Sequence, residues 1–101
     1  MQRKLSKAQA TKEIKRIASN GAIRRDKHFN EQMHKRKVDM QDVMHVLKSG
    51  NVYEEPEIHP KTGRFVYAME GKTLDDKSLK LIVDINDDLE SIFLMTVMVL
   101  K

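Results

Sequence analysis

Apolar residues recur at helical spacing through the first half of the chain and at alternating spacing through the second, and the change falls at Gly50. Over residues 6–20, Ile14, Ile17 and Ala18 share one face while Lys7, Lys12, Lys15 and Arg16 lie elsewhere. Asn20-Gly21 supplies the stop, so this segment reads as an amphipathic helix. A second helix is predicted from Asp26, a suitable N-cap, with Phe29 and Met33 four residues apart on its buried side, ending near Arg36. In the third, Asp39 caps, Asp42 occupies the capping-box position, and Met40, Val43, Met44 and Leu47 follow the i, i+3, i+4, i+7 pattern before Gly50.

Beyond Gly50, residues 51–58 suit an edge strand, because Pro56 and the cluster Glu54, Glu55 and Glu57 oppose a central position. The HPKTGR segment reads as a hairpin turn in which Gly63 is free to take positive φ. Phe65, Tyr67 and Met69 alternate on the next strand, and Leu79, Leu81, Val83 and Ile85 on the one after the polar link EGKTLDDKS. From Ile92 to Leu100 only Thr96 interrupts an apolar run, which predicts a strand buried on both faces at the centre of the sheet. The expectation is an α+β fold, with N-terminal helices packed on a four-stranded, mainly antiparallel sheet.

With 101 residues, the chain suits a single domain that buries roughly 65% of the surface its unfolded form exposes. It contains no cysteine, which excludes disulfide frameworks, thiolate metal sites and cysteine nucleophiles. The N-terminal stretch is charged and no apolar run of about 18 residues occurs, so the expectation is a cytoplasmic protein without a membrane partner.

Charge adds direction to this picture. Residues 1–50 carry 13 Lys and Arg against 5 Asp and Glu, net +8, whereas residues 51–101 carry 6 against 10, net −4. A basic half attracts phosphate, since each cation that neutralises one releases condensed counterions. Arg24, Arg25, Lys27, Lys35 and Lys37 are the candidate RNA contacts. The same lysines also fit helices that are simply kept soluble.

Among residues able to do chemistry, His28 and Arg36 can both point along the seam where the second helix meets the sheet. Imidazole shuttles a proton near neutral pH and guanidinium holds phosphate bidentately, a pairing suited to phosphate chemistry. The spacing equally fits a histidine hydrogen-bonded at a helix start with Arg36 solvated. His34 and His45 have no histidine four residues away, and His59 sits in a turn, so no metal site or cofactor is expected. The pairs Asp75-Asp76 and Asp87-Asp88 fall in turns and read as solvating.

The order His28, Met33, Arg36, Val38, Asp42-Val43, Leu47 and Gly50, followed by the runs GRFVY, LIV and IFLMTV, resembles the bacterial family catalogued as domain of unknown function 4258. The likeness spans residues 22–98 and leaves the helix within residues 1–21 outside it. Two positions depart from the family pattern: Gln32 stands where an Arg is usual, and Lys37 where a Gly is usual. The family is similar to the MqsR and BrnT toxins of the RelE/ParE superfamily. That resemblance implies a RelE-like fold and a toxin component that cleaves mRNA without metal, with RNA and a cognate antitoxin protein as partners. It further implies His28 as the proton-transfer group, Arg36 and Arg64 as stabilisers of transition-state charge, and Tyr67 as a proton donor or base-stacking ring. On period two Tyr67 shares a face with Phe65 and Met69, which equally suits a core residue. A noncatalytic nucleic-acid-binding or protein-interaction module stays open as the alternative, as does a homodimer.

Overall fold

A computed structural model describes residues 2–100. Helix α1 (Lys7–Asn20) begins at Ser6, whose side chain accepts from the Gln9 amide while Gln9 reaches back to the Ser6 N–H. This reciprocal capping satisfies two amides that a bare helix start leaves without partners. Strand β1 (Ala22–Arg25) follows, then α2 (Lys27–Lys35), capped by Asp26, and α3 (Met40–Ser49), where Asp39 and Asp42 form the expected capping box. The turn between α2 and α3 places Lys37 at φ 55, a left-handed conformation that costs a side-chain-bearing residue roughly 1–2 kcal/mol.

The remaining strands are β2 (Asn51–Val52), β3 (Glu57–Ile58), β4 (Phe65–Lys72), β5 (Ser78–Ile85) and β6 (Ser91–Leu100). They give a sheet in the order β1-β6-β5-β4-β2, with β3 also paired to β4. The fold is α+β, with six strands in place of the expected four. Two differences account for the number. The edge segment is split by the stretch containing Pro56 into β2 and β3, which pair with successive parts of β4. The short basic segment AIRR pairs parallel to β6, from Ala22 opposite Ser91 to Arg25 opposite Leu94.

Helices occupy one face of the sheet. Ile14 and Ile17 of α1, Phe29 of α2 and Val43, Val46 and Leu47 of α3 join Tyr67, Met69, Leu79, Leu81, Val83, Ile92, Leu94 and Val97 in one buried cluster. Each such side chain contributes about 1.5–3 kcal/mol by leaving water. Although α1 lies outside the resemblance, it supplies part of this core. Gly50 ends α3 where the backbone of β4 passes close by: a Cβ there would collide with the Glu70 carbonyl oxygen, so this junction accepts only glycine without a shift.

Among the described residues no helix covers the other face of the sheet, and this corrects the reading of the last strand. Strand β6 is next to the β1 edge, and β5 is the central strand. Its apolar run serves two faces: Ile92, Leu94 and Val97 point into the core, while Phe93, Met95 and Met98 are half-buried on the opposite side. An irregularity opposite Ile82 and Val83 leaves Met95 without a register partner and shifts the alternation by one.

Candidate nucleic-acid interface

The β1–α2 segment forms one edge of the molecule. Strand β1 covers β6 only as far as Leu94, and beyond it α2 lies along the same strand. The exposed ladder amide of Val97 is taken up there by the side-chain carbonyl of Gln32, at 3.0 Å. With its oxygen so engaged, the Gln32 amide nitrogen faces His28 Nε2 at 3.0 Å. Glutamine NH₂ only donates, so the contact uses the lone pair of His28 Nε2 and leaves the ring proton on Nδ1. An arginine at position 32 has no acceptor to offer Val97. The departure at Gln32 therefore has a definite structural role: it closes the strand edge and orients the imidazole.

Along this edge the cations are exposed. Arg24, Arg25, Lys27, Lys35, Arg36 and Lys37 are all solvent-facing, and none forms an ion pair among the described residues. Arg25 is steered by a hydrogen bond from Nε to the side chain of Asn30, and the carboxylate of Asp26 is engaged by the Phe29 amide as the α2 cap. The helix itself ends with His34 and Lys35 in its last turn and Arg36 as its C-cap, where positive charge complements the helix dipole. Lys77 donates to the Lys37 carbonyl at 3.2 Å and adds one more cation to this end.

The four residues implied as catalytic do not converge. His28 and Arg36 stand at opposite ends of α2, about 12 Å apart along the axis at 1.5 Å per residue. Tyr67 is 1% exposed, faces the helices, and its hydroxyl accepts from the Leu5 amide at 2.9 Å, so it serves the core and the N-terminal segment. Arg64 belongs to the turn before β4 and lies on the helix-free face. Its Nε and Nη2 donate to both oxygens of Asp84, to the Ile85 carbonyl and to Asp87. Asp87 thus pairs with a cation and does more than solvate its turn.

The hydrogen bonds to Asp84 first, then to Asp87, raise the Arg64 pKa above the ordinary guanidinium value. The stabilisation linked to this raised value is complete below the ordinary guanidinium value and lost only as pH climbs through the folded-state one. Arg64 is accordingly a fixed charge and not a proton donor near neutrality. Of the other histidines, His59 accepts from the Lys61 amide within its turn and His34 is exposed on α2. Among the described residues no three His, Asp or Glu side chains gather as metal ligands, and no helix is long and apolar enough to cross a membrane.

Sequence reasoning found the cations by residue type but missed Gln32, Asp84 and Phe93. Gln32 acts through a backbone amide 65 residues away, which no local pattern reveals. No curated protein and no solved structure matches this chain. The pattern of the family described as "Domain of unknown function (DUF4258)" matches residues 25–99, the stretch that runs from the last residue of β1 through both α2 and α3 to the end of the sheet, and the chain belongs to that family.

Proposed function

We propose that this domain binds single-stranded RNA along the β1–α2 edge. The observation that supports the reading is the row of six exposed Lys and Arg side chains, from Arg24 to Lys37, that the fold leaves without carboxylate partners. Charges already neutralised by the protein gain little from a phosphate, whereas these six retain their full capacity to displace counterions. The test is a charge-reversed variant, Arg25→Glu/Lys35→Glu/Arg36→Glu, measured for binding to an RNA oligonucleotide by anisotropy. Loss of binding by more than about tenfold is expected, while Glu54→Gln/Glu57→Gln on the opposite edge binds as well as the parent or better. Equal losses in both variants would remove the edge as the binding surface.

A second reading adds cleavage to binding, and the Gln32–His28 contact favours it because it holds an imidazole in a defined orientation among those cations. On this reading the domain is a toxin that cleaves mRNA without metal and is silenced by an antitoxin covering the same edge. Once the incoming ribose displaces the Gln32 NH₂ from Nε2, that nitrogen of His28 takes the 2′-hydroxyl proton, the alkoxide attacks the adjacent phosphorus, and the 5′-oxygen leaves with a proton from water or a second group, giving a 2′,3′-cyclic phosphate. Arg24, Arg25 and Lys27 lie at the His28 end of the helix and are the cations placed to stabilise the transition state. Cleavage that persists in EDTA and yields cyclic-phosphate ends supports this reading; dependence on added Mg²⁺ overturns it.

A further inference from the structure

The helix-free face of the sheet contains a cleft of about 330 Å³ lined by Arg24, Arg64, Asp84, Phe93 and Met95 among others. Its floor is a row across three strands: Arg24 of β1 is opposite Phe93 of β6, and Phe93 is opposite Asp84 of β5. Residues in register share a face, so the Arg24 side chain and the Phe93 ring emerge side by side. At the far end Asp84 clamps Arg64, whose bonds run from Nε and Nη2. The two N–H groups of Arg64 Nη1 have no partner among the described residues, although the guanidinium plane is held rigid.

We propose that this cleft accommodates one nucleotide unit, with its base stacked against Phe93 and its phosphate held by Arg24. Three properties point to that ligand. The volume falls within the range of small-ligand sites. The Phe93 ring, half-buried beside Met95, offers a stacking surface that any base can use. Asp84 and Asp87 together offset Arg64, so the charge the cleft offers a phosphate is that of Arg24, which also belongs to the β1–α2 edge, and a strand lying on that edge can turn one base onto the sheet. The inference rests on the RNA-binding reading for the strand's path, while the nucleotide site itself can be tested separately. Arg64 Nη1 is a pre-positioned donor for a base carbonyl or a second phosphate oxygen, which Lys at that position would not reproduce because its ammonium cannot be clamped in a plane.

The experiment titrates uridine 5′-monophosphate into the uniformly labelled protein and follows amide shifts, with uridine as the phosphate-free comparison and a short RNA oligonucleotide alongside. Shifts are expected at Arg24, Phe93 and Met95. Phe93→Leu, which keeps an apolar side chain on the sheet, should weaken the monophosphate and the oligonucleotide by about fivefold or more. Arg24→Gln, an exposed change that leaves the core untouched, should weaken the monophosphate but not uridine. Shifts confined to α2, or unchanged affinities in a folded Phe93→Leu variant, would overturn the cleft as a nucleotide site. If the oligonucleotide still binds in that case, the edge reading survives alone; if only the monophosphate binds, the cleft stands and the edge reading falls.

Discussion

The two edges of the sheet are built from the same chain yet treat charge in opposite ways. At the β2–β3 edge, Glu54, Glu55 and Glu57 cluster, but Lys80 pairs with Glu54 at 2.8 Å and Lys7 approaches Glu55 at 3.6 Å. The hydrogen bond to Glu54 also raises the Lys80 pKa. Pro56 and the two-residue strands blunt that side against further pairing. At the β1–α2 edge the backbone is closed just as firmly, by a parallel strand and then by the Gln32 side chain, but the cations are left unpaired. Both edges are blunted against further pairing, but two of the three glutamates on the acidic side sit in ion pairs, whereas all six cations of the basic side are without one among the described residues. This difference, more than the net charge of +4, marks where RNA is proposed to bind.

The largest effect should come from His28 if the edge cleaves what it binds. His28→Ala is expected to lower cleavage by about 10²-fold or more while leaving the thermal midpoint nearly unchanged, because the ring is exposed and supports little packing. The reverse outcome, intact activity per folded molecule with reduced stability, would assign the histidine to the structure alone. Single-turnover cleavage beside a thermal melt separates the two.

Next in size is the closure of the β1–α2 edge. Gln32→Leu leaves the Val97 amide without its acceptor and should cost about 1–3 kcal/mol in urea unfolding. Gln32→Arg should cost a similar amount, since guanidinium cannot accept. If either variant is as stable as the parent, the edge is closed by something other than this side chain. For the acidic side of the sheet, Tyr67→Phe on β4 removes the acceptor of the Leu5 amide and should destabilise by about 1 kcal/mol with RNA affinity unchanged. Loss of affinity without loss of stability would return the hydroxyl to the site. The smallest change is a gain: Lys37→Gly relieves a left-handed φ of 55 and should raise stability by about 1 kcal/mol, a few degrees in the midpoint.

What could be read from the sequence followed the range of the interactions involved. The caps at Asp26 and Asp39 are local, and both stand where the residue pattern predicts them. So does the left-handed Gly63, because a tight turn leaves few choices of backbone. Strand β1 escaped because AIRR holds only one apolar residue that packs inward, Ile23, and becomes a strand through pairing with residues about 70 positions away. The run in β6 looked two-sided and is, yet half of it faces a sheet surface without helices, so a continuous apolar pattern did not identify the central strand. Within the site, positive residue types were legible while their freedom from ion pairs was not. The alternation that set Tyr67 beside Met69 already pointed to the core, and burial confirms that placement.

The most direct test of the account is the salt dependence of RNA binding by the unmodified protein, plotted as log K against log salt. Binding through the unpaired cations of the β1–α2 edge predicts a steep line, about −0.7 in slope for each phosphate neutralised, that becomes shallower when Lys35 and Arg36 are substituted and not when Lys72 and Lys77 are. A line that is flat, or that Lys35 and Arg36 do not influence, would contradict it.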